Sequence, residues 1–258
     1  MSLPCRCVVI DGFDTAAFVS ATLAEDMGQG GDITSAAVIP AEARLTAVMD
    51  SRDPVVVAGL PLAAAFFRAL DPACTITMLA SDGDAVPAGA DLMRIEGNAR
   101  ALLTAERSAL NTVQHLTGIA TLTRQYVDAI AGTGAVLLDT RKTLPGLRAL
   151  EKYATRMGGA TNHRMRLDDG VMIKDNHIAV AGGVEPAVRA AKAAGLQGVV
   201  VEVDTLDQIP PALDAGADRL LLDNMGPDLL REAVALIAGR VPTEASGGVN
   251  LQTIRAIA

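Results

Sequence analysis

The sequence predicts an α/β fold: a mixed first half, then a second half of alternating strands and helices over a buried parallel sheet. Three observations carry this. Half the residues are apolar, with no Trp, two Tyr and four Phe, so the core is aliphatic, as buried parallel strands require. Short aliphatic runs of the second half each end in a polar residue: "AVLLDTRK" at Asp139, "VMIKDNH" at Lys174, "VVVEVD" at Glu202, "RLLLDN" at Asp223 and "PTEASGG" at Ser246. These end points lie 35, 28, 21 and 23 residues apart, room each time for a helix and two turns. Five successive units favour a closed barrel, with a doubly wound open sheet as the alternative.

Taken in order, "EDMGQGGDITS" reads as a glycine-rich turn ending in a helix cap. "ARLTAVMDSRDPVVVAG" reads as strands and "LPLAAAFFRALD" as a helix. "SDGDAVPAGADLMRIEGNA" has the alternation and turn residues of a hairpin. A biotinyl or lipoyl carrier would need a modifiable Lys at such a turn, and no Lys precedes Lys142. Residues 100–132 form one long helical stretch or two joined helices, and the domain boundary falls within it near Gln114, giving domains 1–114 and 115–258. In "TLPGLRALEKYATRMGG", Pro145 marks a helix start, Leu147, Leu150 and Ala154 share a face, and Gly158 and Gly159 stop it. "GGVEPAVRAAKAAG" and "MGPDLLREAVALIAG" read as helices in the same way.

A net charge of −8 and a pI near 4.9 argue against nucleic-acid binding, which needs basic surface. Cys5, Cys7 and Cys74 have no metal-ligand spacing and read as reduced thiols of a cytoplasmic protein. "MSLPCRCVVIDGF" lacks the pattern of a signal peptide, and no apolar run approaches the length of a membrane span. A soluble protein is expected.

Against this acidic background, residues 139–177 hold eight of the 22 Lys and Arg residues and two of the three His. Arg148, Lys152 and Arg156, spaced by four, fit a solvated helix face. Arg141, Lys142 and Lys174 do not, because they end buried runs; in an α/β barrel those ends open into one shared mouth. Arg offers a planar fork for carboxylate or phosphate, and Lys a compact charge. His163 and Arg164, in "NHR", add donors, while His177 reads equally well as a cap for the following helix. Glu202 and Asp223 either neutralise the cations or bind sugar hydroxyls and, directly or through water, Mg2+. Ser246, Gly247 and Gly248 follow a strand and precede a helix, where small residues let backbone N–H groups reach a phosphate. A Schiff-base aldolase built on Lys174 would leave Arg141, Arg164 and this turn without a role. Together the groups suit a substrate with carboxylate, ribose and phosphate parts.

The ordered series "EDMGQGGDIT", "AERSALNTVQHLTGIAT", "LLDTRKTLPGLRALEKYA", "GGATNHRMRLDDGVMIKDNH", "VEVDTL", "LLLDNM" and "EASGGV" closely resembles the quinolinate phosphoribosyltransferases, decarboxylating type II phosphoribosyltransferases of NAD biosynthesis. The resemblance implies an α/β sandwich-like N-terminal domain, an atypical six- or seven-stranded α/β barrel, Mg2+ dependence and a homodimer. It implies that Arg141, His163, Arg164 and Lys174 hold the two carboxylates of quinolinate, and that Lys142 and Lys174 contact the pyrophosphate of phosphoribosyl pyrophosphate. Glu202 and Asp223 would bind the ribose and the magnesium region, and Ser246, Gly247 and Gly248 the 5-phosphate. Lys142, Lys174, Glu202 and Asp223 are the expected catalytic groups. Arg107, which by spacing alone reads as an exposed helix residue with a partner at Glu106 or nearby, would reach the neighbouring subunit's site. Chains of the family continue past "SGGVNLQTIRAIA" into another strand and a second phosphate-binding glycine turn, so the C-terminal end is expected to be missing or truncated. A related protein associated with molybdate transport shares the fold and much of the phosphate site.

Overall fold

The structure is a computed structural model that describes Ile10 and residues 12–258. The readings of Cys5, Cys7 and the first residues lie outside the described residues. The chain divides into two compact units, one of residues 1–127 and 136–163, the other of residues 128–135 and 164–258.

In the first unit, β1 (Arg44–Asp50), β3 (Thr75–Met78) and β5 (Asp91–Asn98) form an antiparallel sheet in the order β1-β5-β3, and β2 (Val55–Val56) pairs with β4 (Ala85–Val86). The expected hairpin over 81–99 does not form. β4 turns to β2, while β5 sits between β1 and β3, with Ala47 opposite Ile95 and Ile76 opposite Ile95 on the other side. Pro87, which has no N–H to give a ladder, and Gly89 at φ 78° separate the two strands. The helices are α1 (Thr15–Met27), α2 (Ile33–Val38), α3 (Leu60–Leu70), α4 (Ala99–Ala129) and α5 (Arg148–Met157). The glycine-rich turn does end in a cap: Asp32 Oδ1 accepts from the Ser35 N–H at 2.8 Å. The long helical stretch is the single helix α4, which passes through Gln114 without a break.

Val57, Leu60, Phe66, Met93 and Ala105 centre one core of this unit, and Leu116, Leu150, Tyr153 and Ala154 a second. Asp82 ties α3 to α5, accepting from the Gly59 and Leu60 N–H groups at 2.8 and 3.0 Å and from the Tyr153 hydroxyl at 2.7 Å. Burial raises the Asp82 carboxyl above its ordinary range, and burial together with the Asp82 charge pushes the Tyr153 phenol far up. At the close of α5, a Cβ on Gly158 would meet Ala120 O and Thr123 Cβ, each at 2.5 Å. That glycine therefore stops a helix and allows it to lie against α4.

The second unit holds β6 (Met172–Ile173), β7 (Val200–Val203), β8 (Arg219–Asp223) and β9 (Thr243–Ser246), with α6 (Asp175–Ala181), α7 (Val184–Ala193), α8 (Ile209–Asp214), α9 (Pro227–Ile237) and α10 (Ile254–Ile257). The strands lie in the order β6-β7-β8-β9, all parallel. That consecutive order belongs to a barrel; a doubly wound sheet reverses its order at a switch point. Val188, Val199, Val201, Ile209, Leu220, Leu222 and Ala233 are fully buried between sheet and helices. The run ending at Asp139, expected as a strand, is instead an isolated parallel bridge of Leu138 to Thr161 in the first unit.

Candidate active site

Side chains of a strand alternate between faces, so the registers decide what the strand tips present. Ile173 pairs with Val201, Leu221 with Glu244, and Asp223 with Ser246. Lys174, Glu202, Asp223 and Ser246 consequently share one face at the C-terminal ends of β6 to β9. The Lys174 ammonium is ion-paired with Glu202, whose side chain is only 12% exposed, while Lys174 stays 45% exposed. A half-exposed ammonium anchored by a shielded carboxylate is a fixed charge that remains open to solvent. His177 serves as the cap that its position allowed: its Nδ1 accepts from the Lys174 N–H at 2.9 Å and orients the lysine backbone.

Beside this pair lies a cavity of about 530 Å³, lined in part by Asp175, Glu202, Asp204, Gln208, Asp223 and Asn224. Asp175, Asp204, Gln208 and Asn224 escaped the sequence reading. Alternation along "VEVD" was the available signal for Asp204, two residues beyond Glu202. Asn224 adopts φ 55°, donates its N–H to Ser246 O at 2.8 Å and bonds through its side chain to Asp223. The β8 and β9 tips are thereby locked together. A second cavity of about 340 Å³ adjoins Asn224, Gly247, Gly248 and Thr253.

Gly247 has φ 85°, and a Cβ there would come within 2.1 Å of Asn224 Oδ1. Both its backbone conformation and its close packing demand glycine. The helix expected directly after this turn begins only at Ile254. Residues 249–253 form a turn held by Asn250 Oδ1, which accepts from the Gln252 and Thr253 N–H groups at 2.9 and 3.1 Å. Arg164 donates from Nη1 to Gly170 O at 2.9 Å across the loop that opens this unit.

In the first unit, Arg141 is half-buried, and its Nε is shielded from solvent with no hydrogen-bond partner. Lys142 is exposed, with its backbone N–H held by Thr140 Oγ1 at 3.0 Å. The His163 backbone N–H donates to Asp139 Oδ1 at 2.8 Å. Arg107 is exposed on α4, as its spacing indicates, but the partner expected at Glu106 or nearby is not found: it has no hydrogen-bond or ion-pair partner among the described residues, since adjacent helix positions do not face each other. Lys152 corrects the solvated-face reading: its side chain is 1% exposed and ion-paired with Asp139. Arg148 and Arg156, on the same helical stripe, are half-buried and exposed respectively. Spacing placed the three residues on one stripe but could not show that Asp139 faces its middle.

Parallel strands tipped with a lysine, two carboxylates and a serine, beside a glycine turn, place polar groups of both charges at one end of an α/β sheet. The quinolinate phosphoribosyl transferase models match residues 32–117 (N-terminal domain) and 119–258 (C-terminal domain). A probable carboxylating nicotinate-nucleotide pyrophosphorylase of Synechocystis sp. is 46% identical over 241 residues, covering 92% of this chain and 81% of that protein. Among solved structures, NadC from Streptococcus pyogenes is 39% identical with a TM-score of 0.89, covering 93% of this chain and 85% of the other. The nicotinate-nucleotide pyrophosphorylase from Francisella tularensis is 40% identical with a TM-score of 0.90, covering 96% and 89%. The chain belongs to the quinolinate phosphoribosyltransferase family.

Proposed function

We propose that the protein transfers the phosphoribosyl group of phosphoribosyl pyrophosphate to quinolinate with decarboxylation, giving nicotinate mononucleotide, pyrophosphate and carbon dioxide. Family membership supports the activity. The observation that carries the reading at the residue level is the alignment of Lys174, Glu202, Asp223 and Ser246 on one face beside the acidic cavity.

Arg141, His163, Arg164 and Lys174 hold the two carboxylates, so the pyridine nitrogen is directed at C1 of the ribose. This is catalysis by positioning. The nitrogen lone pair forms the new bond to C1 as the bond from C1 to pyrophosphate breaks. Negative charge grows on the leaving group, where Lys142 and Lys174 stabilise it. Glu202 and Asp223 take the ribose hydroxyls, and Ser246, Gly247 and Gly248 the 5-phosphate. Once ribosylated, the ring nitrogen is cationic and stabilises, as an ylide, the electron pair left on the adjacent ring carbon when its carboxylate departs as carbon dioxide; a proton then takes the place of the carboxylate on that carbon. No side-chain nucleophile takes part.

The described residues contain no cluster of three or more metal-ligating side chains. Two carboxylates beside an open cavity suit Mg2+, which keeps waters and is shared with substrate phosphates rather than caged by protein. Glu202 and Asp223 would hold it, directly or through water, and its charge would offset that developing on pyrophosphate. A homodimer in which Arg107 serves the neighbouring site accounts for an exposed, unpartnered arginine within "AERSALN". No helix among the described residues is long and apolar enough to cross a membrane, and a cytoplasmic location without nucleic-acid partners agrees with the acidic composition.

The test is to mix the protein with quinolinate, phosphoribosyl pyrophosphate and Mg2+. Carbon dioxide and nicotinate mononucleotide should form together, with both absent when quinolinate is omitted. Quinolinate-dependent release of carbon dioxide also separates this activity from that of the protein associated with molybdate transport; no release would overturn the assignment.

A further inference from the structure

One buried carboxylate, which the roles above leave unused, collects four hydrogen bonds. The Asp139 side chain is 4% exposed and that of its partner Lys152 1%. Asp139 Oδ1 accepts from Lys152 Nζ and from the His163 backbone N–H, the latter at 2.8 Å. Oδ2 accepts from Asn162 Nδ2 at 2.6 Å and, at 3.1 Å, from Thr155 Oγ1, whose one proton it shares with Lys152 O at 2.9 Å. Asn162 Nδ2 also donates to Lys152 O at 2.8 Å. The donors therefore come from α5 and from residues 162–163, which follow the bridge of Leu138 to Thr161.

An ion pair so withdrawn from water adds little net stability over apolar side chains of similar volume, because desolvation offsets most of the attraction. What it provides is a unique geometry. The carboxylate joins two short segments that no regular ladder holds, and those segments carry Arg141 and His163. Arg141 Nε has no hydrogen-bond partner, so nothing at that atom orients the guanidinium, and the placement of its backbone matters more. The neighbouring residue on α5 extends the grip: Glu151 Oε2 accepts from the Leu144 N–H at 3.2 Å, and its Oε1 lies 3.0 Å from His115 Nε2. Thus α5 holds residues 139–144 at both ends.

We infer that Asp139, fixed by Lys152, is a positioning residue for quinolinate: it sets the separation of Arg141 and His163 to which the pyridine dicarboxylate must fit. This rests on the activity proposed above. Asp139→Asn with Lys152→Met removes both charges at nearly constant volume, and leaves the Asn side-chain oxygen to accept from His163. The double variant should fold, with unchanged circular dichroism. Its quinolinate KM should rise on the order of 30-fold, as expected when binding groups lose their registry, while the KM for phosphoribosyl pyrophosphate stays within about twofold. A purely structural role would instead lower the melting temperature and the active fraction, with quinolinate KM unchanged, and that result overturns the inference. Thr155→Val, which removes one donor isosterically, should raise quinolinate KM roughly fourfold, about one lost hydrogen bond. It decides the matter if the double variant does not fold, and an unchanged KM there is a refutation. Wild-type protein assayed alongside keeps the two readings apart: inactive wild type defeats the proposed activity and this inference with it, whereas active wild type with indifferent variants defeats only the inference.

Discussion

Lys174 shows how one residue combines several constraints. Its ammonium is paired with Glu202, its backbone N–H is held by His177, and its side chain remains half-exposed. Lys174→Ala should lower kcat by about 10²–10³-fold, the scale of losing a charge that stabilises the transition state, and Arg164→Ala should lower turnover on the order of 10²-fold through lost positioning of the carboxylates. In both, an unchanged melting curve would localise the effect to the site, and near-normal turnover would refute the assigned roles. Gly247 makes the complementary case, since the restriction there is steric. Gly247→Ala places a methyl group on Asn224 in a left-handed conformation and should cost about 1–3 kcal/mol. Denaturant titration measures that cost, and a raised KM for phosphoribosyl pyrophosphate should accompany it. The chemistry of these residues was legible in the sequence, because a cation or a glycine turn that ends a buried aliphatic run sits where a barrel opens to its ligand. The burial of Lys152 was not. Helical spacing gives the angles between side chains but not the direction in which the helix is turned.

At the scale of elements, the parallel sheet depends on the loops that deliver each strand. Asp218, immediately before β8, accepts from Lys192 Nζ on α7 at 2.6 Å and from the Val199 N–H at 2.7 Å. The Lys192 hydrogen bond, followed by that from Val199, holds its carboxyl below the ordinary range. A carboxylate depressed in the folded state contributes stability above its unfolded pKa, about 3.9, and loses it as pH falls through the lower folded value. Asp218→Asn should therefore lower the urea midpoint at pH 6, and the difference from wild type should shrink as pH drops below about 4. A gap that stays constant with pH would exclude the charge as its source. Strands β7 and β8 were readable because each contains a run of aliphatic residues with a polar tip, whereas β9, Thr-Glu-Ala-Ser, was located by its spacing from Asp223 and by the glycine turn after it. The supposed hairpin over 81–99 was not, because β5 finds better partners in β1 and β3. Alternation reveals a strand, and only the sheet reveals its neighbour.

At the scale of the whole molecule, the proposed homodimer makes a test that does not depend on structure determination. If Arg107 acts in the neighbouring subunit's site, Arg107→Ala and Lys174→Ala should each be inactive alone yet complement when mixed and allowed to exchange subunits. Random pairing makes half the dimers mixed, each with one intact site, so activity should recover to about a quarter of wild type. A mixture that stays inactive despite demonstrated exchange would return Arg107 to its own subunit or to the solvent.

The sequence by itself determined the α/β class, the alternation of the second half, the cationic and carboxylate tips and, through its ordered motifs, the family. All of these follow from local pattern: periodicity, charge and the placement of glycine. Tertiary structure alone decided that the run before Asp139 is only a bridge, that β4 and β5 part company, and that Lys152 turns inward to Asp139. Each outcome depends on which surface a segment meets after folding, and the free energy of burial belongs to both partners of a contact, so neither segment's own residues can encode it.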